Sequence, residues 1–137
     1  MKSTIYTALL FGAGILLGMG LQDYSVRAAG KPVELENLLR QDLQVADGIE
    51  IIVSRVRIAP GQALPKHYHP GEEYVYVLDG EATLWQSGKP DLVMRQGDVY
   101  GIPLEQVHTA STGAEGATAL VFRVHRKGQP ERIPAND

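Results

Sequence analysis

The chain has 137 residues, a length that fits one domain of the usual ~100–200 residues. Its formal net charge is −3. It contains no cysteine, so disulfides and thiolate metal centres are excluded and any bound metal must take nitrogen and oxygen ligands. Its thirteen Lys and Arg residues are dispersed among sixteen acidic ones, and this pattern offers no basic face for nucleic acid.

The N-terminus has the layout of a secretory signal. Lys2 precedes an uncharged run over residues 5–21, and the polar residues 22–25 follow. Val26 and Ala28 place short side chains three residues and one residue before a cut after Ala28. The alternative is an uncleaved anchor, because the run reaches the lower end of the roughly 17–25 residues that cross a bilayer. Both interpretations of residues 1–28 predict an exported domain, periplasmic or secreted, that contacts a membrane only if the segment is uncleaved.

Residues 33–47 fit two structures. Leu35, Leu38, Leu39 and Leu43 would line one face of a helix, but a short edge strand through Leu38 and Leu39 satisfies the same pattern.

From residue 49 the pattern is that of an all-β domain. Short runs of β-branched and aromatic residues alternate with turns rich in Gly, Pro, Asp and Ser, at intervals of about 8–12 residues. Asp79-Gly80 is the strongest hairpin signal, because both residues tolerate positive φ. We predict an antiparallel barrel over residues 33–126 and a loosely packed arm over residues 127–137. The predicted strands cover residues 49–58, 73–78, 81–86, 91–95, 99–103, 106–110 and 118–125.

Three of the four histidines fall in two short segments. His67 and His69 are two residues apart, so on an extended strand their side chains point to the same face and could bind one cation. The Pro70-Gly71 turn could return the Glu73 carboxylate towards this pair, although Glu72 would serve after a slip of one residue. Only a closed or sandwiched sheet would bring His108 near them.

The spacing of these residues resembles that of a small single-domain cupin. The first cupin motif is matched without a gap by Gly61, His67, His69, Glu73 and Gly80. The second is matched at three positions and altered at two, where Glu105 replaces a turn glycine and Thr112 replaces an asparagine. The second motif reads Gly97, Pro103, Glu105, His108 and Thr112.

The resemblance implies a jelly-roll barrel with one divalent metal inside it. In cupins the corresponding residues bind the metal, which gives His67, His69, Glu73 and His108 as ligands here. Three imidazoles and a carboxylate suit Fe, Mn, Cu, Zn, Ni or Co, and this donor set does not distinguish among them. The resemblance also implies a homodimer, in which residues 33–47 could provide the pairing strand.

The implied function is chemistry on a small organic molecule at open metal positions. A dioxygenase-like reaction of the quercetin-dioxygenase-like group is favoured, with isomerase or lyase chemistry as an alternative. Glu73 could serve as both ligand and proton acceptor, and Gln106 could contact a metal-bound molecule. Two other hypotheses stay open: a non-catalytic module that binds a metal, sugar or carboxylate, and a structural barrel without metal. His125 is predicted to be structural or to face solvent.

Overall fold

A computed structural model describes residues 31–135, so the signal or anchor predicted over residues 1–28 lies outside the described part. All regular structure between these residues is β-strand. No helix in this part is long and apolar enough to cross a membrane. The strands are β1 Val33–Asp42, β2 Ile49–Ile58, β3 His67–Tyr68, β4 Gly71–Gln86, β5 Leu92–Arg95, β6 Val99–Ile102, β7 His108–Arg126 and β8 Ile133–Pro134.

The strands form one antiparallel sheet that curls around its core, as the predicted jelly-roll barrel requires. The order runs β1-β2-β7-β3-β8, and β4 pairs with β5, β6 and β7. Alternate residues of β2 are buried, with Ile52, Val56 and Ile58 facing inward. This period of two is the pattern of a strand with one face on the core. The predicted fold class is therefore confirmed.

The segment with two possible structures is a strand. β1 pairs antiparallel with β2 from Val33 opposite Ile58 to Asp42 opposite Glu50, with one irregularity between Asn37 and Leu39. The helix interpretation of the leucines is wrong, because pairing with the edge of β2 satisfies the backbone of this segment. Leu38 and Leu39 stay exposed.

The hairpin expected at Asp79-Gly80 is also wrong. β4 continues through both residues, and its register against β7 shifts on either side of them. Gly80 has φ +76°, and a Cβ there would lie 2.2 Å from the carbonyl oxygen of Gly116. The Asp-Gly pair thus produces a bulge in one bent strand, where positive φ and the close approach both require glycine. β7 likewise joins two predicted strands into one of 19 residues.

The core consists of two aliphatic clusters. One contains Val77, Leu84, Met94 and Ile102, and the other contains Val56, Ile58 and Val121. Val75 packs against both clusters. A cavity of about 90 Å³ lies between them and is lined by residues of both.

The C-terminal arm is more closely packed than expected. β8 pairs with β3, so that Ile133 lies opposite Tyr68 and Pro134 opposite His67. The Glu131 carboxylate contacts the guanidinium groups of Arg40 and Arg123. The arm contains few apolar residues, so its sequence did not indicate tight packing. Backbone pairing and ion pairs hold it in place instead.

Candidate metal centre

The structure brings the four predicted ligands together inside the sheet. His67 on β3 lies directly opposite His108, the first residue of β7, in the strand register. His69 follows β3, and Glu73 lies on β4. The side chains are almost fully buried, with relative exposures of 5% for His67, 4% for His69, 7% for Glu73 and 3% for His108. Their role as ligands stays a prediction.

The three imidazoles are close enough to bind one ion. Their ring centroids are 4.9 Å apart for His67 and His69, 4.4 Å for His67 and His108, and 5.3 Å for His69 and His108. One ring nitrogen from each histidine lies within 4.8 Å of the other two. Since metal–nitrogen bonds are about 2.0–2.1 Å for zinc, small side-chain rotations suffice to place all three around one ion.

Backbone carbonyl groups orient each of the three rings. His67 Nδ1 donates to the Pro65 carbonyl at 2.7 Å, and His108 Nδ1 donates to the Gln106 carbonyl at 2.8 Å. His69 Nδ1 donates to the carbonyl of Glu131 in the C-terminal arm. A carbonyl oxygen only accepts, so the neutral ring carries its proton on Nδ1 and a lone pair on Nε2. This is the arrangement in which metal-binding histidines are usually held.

The Nε2 lone pairs point to the Glu73 carboxylate. His69 Nε2 lies 2.7 Å from Glu73 Oε2, and His108 Nε2 lies 3.5 Å from Glu73 Oε1. Neither Nε2 atom makes a hydrogen bond of acceptable geometry, and both are buried. Two lone pairs at such distances repel unless a cation or proton lies between them. The donor set therefore fits a bound cation.

The protonation states of His67 and Glu73 also suit metal binding. Burial lowers the pKa of His67 to about 4, so its imidazole is neutral near pH 7. Burial by itself raises the pKa of Glu73, but its interactions with His108 and His69, when a proton lies between the groups, outweigh burial and hold the pKa well below its usual range. A neutral imidazole and an ionised carboxylate are the forms that bind a metal without first losing a proton.

Other predicted residues occupy clear positions. Glu73 faces the histidines, whereas Glu72 is exposed and accepts a hydrogen bond from Tyr74. The Gln106 side chain donates to the carbonyls of Ser87 and Val107 and does not line the cavity, so its suggested contact with a bound molecule is wrong. His125 is buried rather than facing solvent, with Nδ1 at 3.0 Å from the Arg126 carbonyl and Nε2 without a hydrogen bond, and it does not line the cavity.

The two altered motif positions preserve the loops around the site. Glu105 takes φ +56° in place of the turn glycine, and its N–H donates to the His69 carbonyl at 3.1 Å. Thr112 Oγ1 donates to the Ala59 carbonyl at 2.6 Å. The first contact fixes the backbone of His69, and the second holds the loop that leads to β3.

The cavity beside the histidines is mainly aliphatic. Its wall includes Val56, Val75, Leu84, Met94, Ile102 and Val121. Its volume of about 90 Å³ is well below the roughly 300–1,000 Å³ of pockets that take drug-sized ligands. Glu73 is the only carboxylate among the described residues that line it.

Sequence reasoning missed three residues near the site: Arg123, Glu131 and Arg132. Arg123 and Arg132 line the cavity, and Glu131 supplies the carbonyl that holds His69. No sequence signal singled out Arg123, because the buried face of β7, on which it alternates with Val121 and His125, was not predicted. No local signal placed the arm residues at the site, because their position depends on long-range pairing.

Comparison with known proteins gives a consistent family and fold. A family model described as a cupin domain matches residues 54–123, just over half of the chain. No curated protein matches the sequence.

Three solved structures share the fold. A cupin-like protein from Thermotoga maritima has a TM-score of 0.62 at 22% identity, over 77% of each chain. The DMSP lyase from Ruegeria pomeroyi has a TM-score of 0.61 at 22% identity, over 77% of this chain and 54% of the lyase. A mutant oxalate decarboxylase from Bacillus subtilis has a TM-score of 0.61 at 17% identity, over 77% of this chain and 28% of the decarboxylase. This chain thus spans about half of the lyase and about a quarter of the decarboxylase.

Proposed function

The chain belongs to the cupin family, and from this premise we propose that it is a metal-dependent enzyme that acts on a small organic molecule. One observation carries the proposal: the buried Nε2 atoms of His69 and His108 lack hydrogen bonds and face an ionised carboxylate. His67 completes the donor set. A purely structural barrel gains nothing from three buried imidazoles oriented in this way.

The donor set favours a first-row divalent metal. Three nitrogens and one oxygen suit Fe, Mn, Co, Ni, Cu or Zn, and affinity alone rises towards copper. When bound, such an ion supplies Lewis-acid or redox chemistry at the positions that the protein leaves open. The residues that would hold it are His67, His69, Glu73 and His108.

The chain's own residues give the site its other properties. Glu73, which would be a ligand of the ion, would also hold a proton from the substrate on a carboxylate oxygen. The aliphatic wall excludes water, which strengthens electrostatic interactions inside the cavity. The carbonyls of Pro65, Gln106 and Glu131 keep the imidazoles in one orientation throughout.

A dioxygenase-like reaction is our first choice of chemistry. The fold neighbours include a lyase and a decarboxylase by name, and the fold therefore supports isomerase or lyase chemistry as the alternative. Oxygen consumption by the Fe- or Cu-loaded domain, with flavonols and β-diketones as substrates, distinguishes the reactions. We expect uptake that His69→Ala abolishes and His125→Gln leaves within about twofold. Turnover without oxygen uptake would contradict the dioxygenase.

A non-catalytic binding module is the second candidate. It is favoured by the cavity wall, which provides no acid or base besides Glu73 and the three histidines among the described residues. Such a module would show ligand-induced stabilisation without turnover. That result, obtained with fully metal-loaded protein, would contradict the enzyme hypothesis and support the binding module.

The setting of this function is an exported domain. Removal of residues 1–28 would leave a mature chain that begins at Ala29. Without a twin-arginine pair the chain would cross the membrane unfolded, so it would meet its metal outside, where copper and zinc compete best. Metal analysis of protein purified from its native periplasm should then show mainly copper or zinc. Mainly iron or manganese would contradict this order of events.

A homodimer through β1 is part of the proposal. β1 is an edge strand, and its Leu38 and Leu39 are 43% and 45% exposed. A second β1 could cover these leucines and pair with the free edge. Sedimentation should give twice the mass of the mature chain, and Leu38→Lys should shift it towards the monomer.

A further inference from the structure

Two guanidinium groups line the cavity that contains the candidate metal centre. Arg123 lies on the inner face of β7, with 4% of its side chain exposed. Arg132 lies in the C-terminal arm, where its side chain is exposed. The only acidic side chain among the described residues of the wall is Glu73. Two guanidinium groups and one carboxylate thus line the cavity, and Glu131 pairs with Arg123 from outside the wall.

The Nε of Arg123 is a donor that remains available to a ligand. Its Nη1 donates to Glu131 Oε2 at 3.2 Å, and its Nη2 donates to Ser54 Oγ. Its Nε is buried and has no hydrogen-bond partner. A buried N–H of a charged group without an acceptor is costly. An acceptor atom of a bound molecule would satisfy it.

The strand register places this donor near the metal centre. Arg123 lies directly opposite Glu73 in the pairing of β4 with β7, and neighbouring residues on one face of a sheet are close enough for their side chains to interact. A molecule in a cavity of this size can therefore reach the Glu73 side and the Arg123 side together.

Arg132 adds a second cation. Within residues 31–135 no ion pair or hydrogen bond of its side chain is present, and the neighbouring Glu131 is already engaged by Arg40 and Arg123. Arg132 therefore has all its guanidinium donors available, and such a group binds carboxylates well.

We propose that the pocket selects a short-chain aliphatic carboxylate, whose anionic group is bound by Arg123 and Arg132. The inference rests on the proposed function, because it names the substrate class of the same site. The aliphatic wall accommodates the short carbon chain, and a cavity of about 90 Å³ suits a small molecule.

Binding of butyrate, compared with the neutral isostere butyramide, tests this class. Isothermal titration of the zinc-loaded mature domain and of the metal-free domain at constant ionic strength gives both affinities. We expect butyrate to bind at least tenfold more tightly than butyramide. Arg132→Gln should weaken butyrate binding about three- to tenfold, and Arg123→Gln should weaken it more. Neither change should affect butyramide.

Arg126→Gln is the matched control. Arg126 is exposed at the end of β7 and does not line the cavity, but its replacement removes the same charge. Equal affinities for butyrate and butyramide, or equal losses in Arg126→Gln and Arg132→Gln, would overturn the proposal. If circular dichroism shows that Arg123→Gln does not fold, the butyrate affinity of Arg132→Gln alone tests the proposal.

Zinc content, measured on the same samples, separates this inference from the proposed function. Protein that binds one zinc but does not prefer butyrate overturns the inference and leaves the metal site intact. Protein without zinc that still prefers butyrate through Arg132 supports the inference, while the metal-dependent function fails.

Discussion

The rings of His67, His69 and His108 are each held at Nδ1 by a main-chain carbonyl. This common feature leaves a lone pair on each Nε2 without any side chain as an intermediary. The ionised Glu73 meets two of them. Each contact depends on backbone position, so the loops around the site matter as much as the ligands.

The pKa of His67 predicts how the stability of the metal-free domain depends on pH. Burial lowers this pKa from 6.5 to about 4 in the folded chain, so between these values the unfolded chain binds a proton that the folded chain does not. Stability must therefore fall as pH falls through this range. Between pH 7 and 4.5 we expect a loss of about 2 kcal/mol from this group.

Urea denaturation of the metal-free protein at several pH values measures this loss. His67→Gln should remove most of the pH dependence above pH 4.5. Below that value Glu73 acts in the same direction, because its folded pKa is lowered and the unfolded carboxyl protonates first. A wild-type profile identical to that of His67→Gln would contradict the assignment.

Glu105 gives a second prediction. Its φ of +56° is unfavourable for a residue with a Cβ. Glu105→Gly should stabilise the domain by about 0.5–1 kcal/mol in urea denaturation, because glycine removes this cost at only a modest entropic loss. Glu105→Ala is the control and should give no such gain. Equal effects of Gly and Ala would show that φ is not the cause.

The candidate ligands could be predicted from the sequence, because a spacing of two on a strand pairs His67 with His69, and the resemblance to cupins implied Glu73 and His108. His67, His69, Glu73 and His108 do meet. Arg123 could not be assigned, since its importance depends on facing Glu73 across two strands that are far apart in sequence. The side chain of Gln106 turns away because the carbonyls of Ser87 and Val107 attract its amide.

Among the elements, the C-terminal arm has the largest effect on the site. β8 closes the edge of β3, and Glu131 provides both a carbonyl for His69 and a carboxylate for Arg123 and Arg40. The arm therefore connects the orientation of one candidate ligand with Arg123 on the cavity wall. Proline-containing segments rarely suggest such a role from sequence, because proline lacks a backbone donor.

Truncation tests the role of the arm. Removal of residues 130–137 leaves His69 Nδ1 without its acceptor, and we expect zinc affinity to fall about 10–100-fold, as when other outer contacts of ligands are lost. Glu131→Ala keeps the carbonyl and should lose less affinity than the truncated chain. Competition with a chromogenic chelator measures both. A truncated, folded domain with unchanged affinity would show that the arm does not position His69.

Strand boundaries show where element prediction fails. β2 begins and ends as predicted, because its alternation is unbroken. β4 and β7 were each divided at a turn-like sequence, Asp79-Gly80 and residues 111–113. Those residues permit a turn, but in a curled sheet they permit a bend within a strand equally well. Local preference cannot distinguish these outcomes, since long-range pairing decides between them.

At the scale of the whole molecule, the curled sheet determines what the site can do. It encloses a small aliphatic cavity with three imidazoles, one carboxylate and two guanidinium groups on its wall. The fold class followed from the rhythm of strands and turns, whereas the cavity's size and charge depend on how distant strands close. Export and dimer formation stay predictions, with the signal outside the described residues.

The metal content of the purified mature domain tests the central claim most directly. Elemental analysis after equilibration with zinc and removal of free ion should give one ion per chain. His69→Ala should reduce it below about one tenth, whereas His125→Gln, which changes the one histidine away from the cluster, should retain it. A folded wild-type domain without stoichiometric metal, or equal losses in both variants, would contradict the metal centre.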